Sequence, residues 1–489
     1  MYTLIYKSFY LNLNSFKKDG KIDIDSPRIQ ELKKKALNNS IKEGSAAAYS
    51  TGTTFSYATL YALALNATKT QIGILNSLPN LLGPIAQYIS SKLMEKYHRK
   101  NIVKIFILLQ ALSYLPLALL GILLYYNLLS SYIVYSFIIF YALVAIFGGF
   151  TYSPWFSWMG DLVDEKERGR YFARRNKIIG IFEIAGMLTA VLLLDMFKTV
   201  PVLIGFSTLF LLAFISRAFS FYLINKQYIP LEIKRKREKI SFSKFLRNNK
   251  SFNQFSIYVA FFYFALYIAS PFFTVYMKDP TQLNLSYFWI IAITISGAVF
   301  TLIFLPLVGK FSDRFGNVKL LIVSNLLFVI NPLLWIVVKN PYGLIFIQLV
   351  SGLANSAFLI GFNNFSYRSL EQKYRGIGIA YVSILSGIGA SASSLIGGIL
   401  LDYIPPIELN IFFFVFILSA FLRLLIAVIF LPNLKENKSK STLLSNLAHP
   451  LKGLNNEIHT LGSFAHYIEK EETQALKDLK PLKKDVLSK

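Results

Sequence analysis

Three charged residues lie inside long apolar runs of the chain, where a charge is costly: Glu183, Arg217 and Arg423. An ionisable side chain in hydrocarbon costs at least about 2.5 kcal/mol on insertion scales, so it is retained for a partner or a function. Glu183 and Arg217 lie at similar depths in consecutive runs of opposite direction, which predicts an ion pair that is structural or part of a proton relay. Arg423 has no acidic partner in its own half of the chain, and we expect its guanidinium to extend to the nearer membrane interface.

A second group of charges lies in a short junction between two apolar runs, together with two glycines: Gly309, Asp313, Arg314 and Gly316. Gly309 would permit close helix approach, and Gly316 would permit a positive φ in a tight turn. A related junction lies far upstream at residues 91–100, where the charges persist as Glu95 and Lys96 but the glycines are replaced. Two copies of one junction predict two halves that are built alike.

Long apolar runs must position these residues. The chain has 489 residues, of which 54% are hydrophobic, and its charges are confined to short stretches between the runs. Runs of about 20 apolar residues can cross a hydrocarbon core of about 30 Å. The backbone must satisfy its own hydrogen bonds there, and the runs lack the period of two that a barrel needs, so we expect an all-α membrane protein. The predicted spans are 46–65, 70–90, 102–125, 131–159, 177–195, 200–225, 253–277, 285–308, 318–338, 341–366, 377–401 and 408–431.

Lysine and arginine are concentrated in the loops on one side of the predicted bundle. The loops on the other side carry only four lysines, at positions 69, 198, 278 and 339. Because cytoplasmic loops are enriched in Lys and Arg, we expect the basic side and both tails to face the cytoplasm from a plasma or inner membrane. This asymmetry accounts for most of the formal net charge of +25 without nucleic acid as a partner.

The longest internal linker divides the twelve spans into two sets of six. The predicted regions are a cytoplasmic N-terminal tail at 1–45, a six-helix bundle at 46–225, a basic linker at 226–252, a second six-helix bundle at 253–431 and a cytoplasmic tail at 432–489. The halves also share landmarks: 27 residues separate Arg168 from Asp195, and 27 separate Arg375 from Asp402. Six-helix repeats of the same orientation imply a pseudo-two-fold axis along the membrane normal, with the working site between the halves.

The chain resembles the major facilitator superfamily over about residues 46–431. Gly309, Asp313, Arg314 and Gly316 match the family element Gly-x-x-x-Asp-Arg-x-Gly, although Asn317 and Val318 then stand where the family usually has two basic residues. Residues 160–170 are similar to the acidic loop, ending in Arg-Gly, that many members carry after helix four. The resemblance implies the superfamily fold, with twelve transmembrane helices in two pseudo-symmetric bundles of six.

In that family the junction loops latch the two halves together on the cytoplasmic side when the transporter opens outward. The resemblance therefore implies a set of gate and motif residues: Gly309, Asp313, Arg314, Gly316, Glu95, Lys96, Asp161, Arg168, Gly169 and Arg375. Ordinary loop charges that follow membrane topology are the alternative interpretation.

Helices one, four, seven and ten line the cavity in this family. By resemblance, the cavity candidates are Thr54, Tyr57, Tyr152, Trp155, Tyr258, Tyr263, Tyr267, Asn355 and Asn363. Aromatic faces with hydroxyl and amide tips suit a neutral, partly apolar organic solute. Aromatics near span ends, such as Trp155, could instead be interfacial anchors.

Several kinds of chemistry are excluded or disfavoured. The chain has no cysteine, and its four histidines lie outside the predicted spans without metal-ligand spacing. No Gly-x-x-x-x-Gly-Lys-Ser/Thr loop is present, which disfavours direct use of ATP. We therefore expect no cofactor, no metal and no enzymatic activity.

The preferred function is transport of a small organic solute by alternating access, with proton coupling or as a uniport, in a monomer embedded in the lipid bilayer. Two other classes stay open. One is a polytopic membrane enzyme acting on lipid, and the other is a non-transporting membrane receptor or scaffold.

Overall fold

The computed structural model describes residues 17–18, 21–22, 27–128, 132–164, 167–197, 202–230, 245, 247–370, 375–404 and 410–434. The helices of the first half are α1a (Pro27–Thr54), α1b (Ala58–Ala64), α2 (Lys69–Leu93), α3 (Arg99–Tyr125), α4 (Ile133–Leu162), α5 (Arg168–Met196) and α6 (Val202–Lys226). Those of the second half are α7a (Lys250–Tyr267), α7b (Ser270–Lys278), α8 (Tyr287–Phe315), α9 (Asn317–Val337), α10 (Pro341–Ser369), α11 (Arg375–Tyr403) and α12 (Ile411–Phe430). Most of the predicted basic linker and of the C-terminal tail lies outside the described residues.

Each of the twelve predicted spans coincides with a helix or a broken helix, which confirms the all-α membrane fold. Within the described residues, ten helical segments are long and apolar enough to cross a membrane, with α7a and α7b counted as one. The first span and α2 fall short of that criterion because the first span is rich in Ser, Thr and Tyr, and α2 is rich in Ser, Asn and Gln. A two-residue antiparallel ladder, Lys17–Lys18 with Lys21–Ile22, is the described exception to helical structure.

The two halves repeat the same pattern of helix packing. In the first half, α1a packs on α5 and α6, α3 packs on α4 and α6, and α2 packs on α4. In the second half, α7a packs on α11 and α12, α9 packs on α10 and α12, and α8 packs on α10. Each pair in one half maps to a pair six helices later, which is the pseudo-two-fold relation that the sequence repeat predicts. We call helices α1a to α6 the first bundle and α7a to α12 the second bundle.

The first helix begins much earlier than predicted, at Pro27. The boundary expected at residue 46 falls inside α1a, so residues 27–45 belong to the first bundle and not to a tail. Hydropathy does not reveal this segment because the buried stripe consists of small and polar residues. Ala36, Ser40 and Glu43 are buried, and the Asn39 side chain donates a hydrogen bond to the carbonyl oxygen of Leu223 on α6 (2.6 Å).

The first and seventh spans break at equivalent places. Three residues of 3₁₀ helix, Phe55–Tyr57, separate α1a from α1b. Two residues separate α7a from α7b, which has Pro271 in its first turn, where the missing proline N–H is tolerated. The short segments α1b and α7b pack against each other and join the bundles near one end of the molecule.

The bundles are joined at one end and separate at the other. We call the end that carries the α2–α3, α4–α5 and α8–α9 junctions the basic face, and the other end the opposite face. Near the opposite face one continuous hydrophobic cluster includes both bundles, with Phe206 of α6 against Tyr287 of α8 at 5.9 Å between ring centroids. Near the basic face each bundle has its own cluster, around Trp158 in the first and around Phe255 in the second. The space between the bundles therefore widens toward the basic face.

Candidate functional site

A cavity of about 470 Å³ lies between the bundles and is not enclosed. Helix α5 of the first bundle forms one wall, and α7a, α8 and α10 of the second bundle form the other. The polar lining residues are Glu183, Tyr263, Thr301, Asn355 and Asn363. The size and the mixture of aromatic, apolar and a few polar groups are typical of sites for small organic molecules.

Helix periodicity explains why these residues share one wall. On α5, the lining residues Gly180, Glu183, Ile184 and Met187 follow the spacing i, i+3, i+4, i+7, which places them on one face of a helix. On α10 the spacing continues for two turns, from Asn355 through Phe358, Leu359 and Phe362 to Asn363. The sequence contains the signal for this wall. Asn355 and Asn363 are cavity candidates, and the residues at helical spacing between them are predicted to lie on the same face of the helix.

Toward the opposite face, the cavity is closed by contacts between the bundles. Tyr57, Leu60 and Met187 of the first bundle meet Ile290 and Thr294 of α8 and leave no room for a water molecule. The Tyr57 hydroxyl donates to the backbone oxygen of Met187 at 2.6 Å. This bond ties the break in the first span to α5 and holds the aromatic ring in the closed region.

Helices α2 and α11 form the most extensive contact between the bundles. A methyl group added at Gly73 would lie 2.5 Å from the backbone oxygen of Ser394, and one added at Gly387 would lie 2.3 Å from that of Asn80. Glycine is required at these crossings because the two backbones are too close for a side chain. A hydrogen bond between the Ser77 and Ser391 hydroxyls adds a polar link in the same crossing.

The end of this crossing at the opposite face is held by Asp402 of α11. Its carboxylate accepts hydrogen bonds from the backbone N–H groups of Lys69 (3.2 Å) and Thr70 (2.6 Å). The next N–H, of Gln71, donates to the Thr68 side chain. Each end of a helix has unsatisfied backbone groups and a partial charge, so the second bundle caps the N-terminus of a helix in the first.

The predicted cavity residues divide into three groups. Tyr263, Asn355 and Asn363 line the cavity, and Tyr267 stacks on Tyr263 at 5.8 Å between centroids. Tyr57 lies in the closed region and not in the open cavity.

The remaining candidates are not among the residues that line this cavity. The Thr54 hydroxyl donates to the Ser50 backbone oxygen of its own helix. Tyr258 is fully buried in the second bundle, where its hydroxyl accepts a hydrogen bond from Asn325. Tyr152 is exposed, and Trp155 stacks with the guanidinium of Arg175, whose central carbon is 4.1 Å from the ring centroid.

The predicted pair between Glu183 and Arg217 is wrong. Arg217 donates to the Gln110 side-chain oxygen at 2.7 Å and lies 3.6 Å from the Glu43 carboxylate, which also lies 3.8 Å from Arg175. Glu43 was missed because it lies in the early part of α1a, outside the predicted first span. Among the described residues Glu183 forms no salt bridge, and its side chain lines the cavity instead.

The prediction for Arg423 is also wrong, because the residue is only 1% exposed. Its guanidinium donates to the backbone oxygen of Phe328 at 2.5 Å and to that of Leu266 at 3.4 Å. The Phe328 oxygen lacks its usual helical donor because the residue four positions later is Pro332, which has no N–H. Leu266 lies one residue before the end of α7a, where carbonyl groups also lose their helical partners. Arg423 thus satisfies backbone groups freed by a proline and by a helix break.

Those gate residues whose side chains the structure describes make no hydrogen bond or salt bridge between the bundles in this conformation. Gly316 has φ of 91°, as expected for the turn between α8 and α9, whereas a methyl group at Gly309 would meet nothing within 4 Å, so the expected close approach there is wrong. Glu95, Lys96 and Arg314 are exposed and, within the described part of the chain, make no hydrogen bond or salt bridge to the other bundle.

Asp161 has a partner within its own bundle. Its carboxylate lies 2.7 Å from the guanidinium of Arg99, which also donates to the Ser157 hydroxyl at 3.0 Å. This pair joins the start of α3 to the end of α4 at the basic face. The side chains of Asp313, Arg168 and Arg375, and the surroundings of Gly169, lie outside what the structure describes.

Comparison with known proteins agrees with this architecture. Residues 44–302 and 282–483 match the sequence profile of the Major Facilitator Superfamily. Similar solved structures include the nucleoside transporter NupG (15% identity, TM-score 0.62, covering 82% of this chain and 98% of that one). They also include a bacterial homologue of the iron transporter ferroportin in an inward-facing state (17%, 0.61, 82% and 98%) and the xylose transporter XylE from E. coli in an inward open conformation (14%, 0.59, 84% and 97%). No curated protein matches the chain in sequence. At such identities the structural similarity establishes the fold and leaves the cargo open.

Proposed function

The chain belongs to the Major Facilitator Superfamily, and from this premise we propose that it moves a small organic solute across a membrane by alternating access, with the cavity beside Glu183 as the solute site. Family membership favours a transporter over a lipid-modifying enzyme or a receptor. One observation carries the proposal: the cavity between the bundles is open, while the same interface is closed toward the opposite face.

The proposed orientation places the basic face in the cytoplasm, because cytoplasmic loops are enriched in Lys and Arg. Both tails then lie in the cytoplasm, and the structure represents an inward-facing state of a plasma or inner membrane protein. Residues 27–225 and 253–431 would act as the two moving bodies, connected by the linker at 226–252. A monomer is sufficient for the proposed transport, because both bundles and the cavity belong to one chain.

The proposed cycle exchanges one seal for another. Opening to the outside requires the crossing of α2 and α11 near the opposite face to separate, and it brings the basic-face ends of the bundles together. The exposed charges Glu95, Lys96 and Arg314 would then form the closing contacts together with Asp313. Such rigid-body rocking of two repeats around a fixed site is the common mode of secondary transporters.

Proton coupling is proposed through Glu183. Among the described lining residues, Tyr263 on α7a is the other titratable group, while α8 and α10 contribute no charged side chain. Glu183 forms no salt bridge within the described residues, so its carboxylate is available to a proton in one state and to cargo in the other. A uniport without protons is the alternative.

Transport in proteoliposomes tests the proposal. A panel of small organic solutes is offered with and without a pH gradient, and we expect uptake of at least one of them. The Glu183→Gln protein should lose the effect of the pH gradient, and Asp313→Ala should transport poorly. Glu31→Gln is the matched control, because Glu31 is exposed, lies away from the cavity lining and pairs with nearby Lys35 at 2.6 Å. Absence of transport for every solute, together with fixed accessibility of both faces, would contradict the proposal.

A further inference from the structure

The described residues that line the cavity carry negative charge and no positive charge. Glu183 is the single carboxylate among the described lining residues, and none of them is Lys, Arg or His. The nearby arginines of the first bundle do not compensate it, because Arg175 and Arg217 are directed to Glu43. A carboxylate removed from bulk water without a partner is costly, so the site favours a cargo that brings the missing positive charge.

Two of the four neutral polar groups described in the cavity lining present acceptors. The Thr301 hydroxyl donates its proton to the backbone oxygen of Gly297 at 2.8 Å. The Asn355 amide nitrogen donates to the backbone oxygen of Ser351 at 2.8 Å. Their own helices use these donors, which leaves the Thr301 hydroxyl oxygen and the Asn355 carbonyl oxygen free to accept. Together with the Glu183 carboxylate, these two oxygens suit a cargo that carries N–H donors.

Aromatic rings form the wall across the cavity from Glu183. Phe358 and Phe362 are stacked with centroids 6.0 Å apart, and Tyr263 lies 6.0 Å from Phe358. Aromatic rings attract cations, and the attraction is stronger where water is excluded. A carboxylate on one side and aromatic side chains on the other make complementary surroundings for an ammonium group attached to an apolar body.

Other cargo charges fit these groups poorly. An anion would meet a carboxylate with no cation beside it. A divalent metal ion prefers six or more oxygen ligands or several charged ones, and the described residues contain no group of three or more His, Cys, Asp or Glu that could hold one. A neutral solute would leave the Glu183 carboxylate without a counter-charge.

We propose that the cargo is a monovalent organic cation, an ammonium with N–H donors joined to an aromatic or apolar body, with its nitrogen bound at Glu183. This inference rests on the proposed function, and it replaces the neutral solute that the sequence favours. The ammonium contacts the acceptor oxygens of Thr301 and Asn355, and the body packs on Phe358 and Phe362. The volume of about 470 Å³ accommodates a molecule of one or two rings.

Binding of a matched pair of probes tests the charge. Phenethylamine is a cation at pH 7, and phenethyl alcohol has nearly the same shape without the charge. Their affinities for the purified protein in nanodiscs are measured by calorimetry. We expect phenethylamine to bind at least tenfold more tightly than the alcohol, and Glu183→Gln to reduce this preference to less than twofold. Glu31→Gln should keep the preference.

Three outcomes overturn the inference: equal binding of the two probes, tighter binding of the alcohol, or no binding of phenethylamine up to about 10 mM. That concentration is about tenfold above a dissociation constant of 1 mM, which is already weak binding. The accessibility of a single thiol from the opposite face measures the opening of that face without any cargo. If accessibility alternates and only neutral solutes bind, the proposed function stands and the cationic cargo is wrong. If the accessibility of that thiol never changes, the proposed function itself fails.

Discussion

The contact between Asp402 and the N-terminus of α2 should set the balance between the two faces. Asp402→Ala removes both acceptors, leaving the Lys69 and Thr70 N–H groups without their partner from the second bundle. Loss of a capping side chain costs about 0.5–2 kcal/mol, and a carboxylate at a helix N-terminus adds about 0.3–1 kcal/mol. Because Asp402 is exposed, we expect Asp402→Ala to cost about 1–2 kcal/mol in total. This cost falls on the state with the opposite face closed, so the population open at that face should rise about 5–30-fold.

The absence of cysteine from the chain makes this population measurable. A single thiol is introduced as Ile291→Cys in the closed region, and its reaction rate with a membrane-impermeant maleimide is followed from the opposite face. The rate should rise with the open population in Asp402→Ala and less in Asp402→Asn, which keeps one acceptor. Asp279→Ala is the control on the same face, because the Asp279 side chain accepts hydrogen bonds only from Thr281 of its own loop among the contacts the structure describes. An unchanged rate in Asp402→Ala, or an equal rise in Asp279→Ala, would refute the reasoning.

Three further changes follow from the same contacts. Glu43→Ala should lower the free energy of unfolding by about 3–5 kcal/mol, because it leaves two buried arginines without their acid; thermal unfolding in detergent measures this against Glu31→Ala, which should change little. Arg423→Met should lower the unfolding midpoint, and less so when combined with Pro332→Ala, because an alanine N–H restores a donor to the freed backbone oxygen; a double-mutant cycle measures the coupling. Gly73→Ala should increase maleimide labelling from the opposite face, because its methyl group would contact a backbone oxygen of α11 at 2.5 Å.

Each of these expectations has an outcome that contradicts it. Equal unfolding curves for the Glu43 and Glu31 variants would show that the buried network contributes little. Additive effects of the changes at positions 423 and 332 would show that Arg423 does not stabilise the protein through the backbone oxygen that Pro332 frees. Gly309→Ala is the control for Gly73→Ala, because its methyl group meets open space. Equal labelling of the two variants would show that the crossing of α2 and α11 does not keep the opposite face closed.

The spans were predictable because hydropathy and length are local properties. Gly316 is a similar case, since a short turn between helices requires a positive φ that glycine adopts freely. The start of α1a was not predictable by the same criterion. Its buried stripe includes Ser40 and Glu43, and such residues are recognised as buried only when their partners on other helices are known.

The charged residues show a different limit. Position along a span predicts depth, and Glu183 and Arg217 do lie on consecutive helices. Depth does not predict the direction in which a side chain leaves its helix. Here Glu183 faces the cavity, while Arg217 faces Glu43. For Arg423, the sequence shows that Pro332 frees a carbonyl group, but only helix packing brings the guanidinium of α12 to it.

The order of residues alone therefore establishes a twelve-helix membrane protein of two similar halves with one basic side. These features depend on neighbouring residues and on a repeat that can be read along the chain. The pairing of Glu43 with two arginines, the exposure of Glu183 to the cavity and the closure by Asp402 come from the folded arrangement. They depend on the rotation and tilt of each helix, which are set by contacts between residues as far apart in sequence as Thr70 and Asp402.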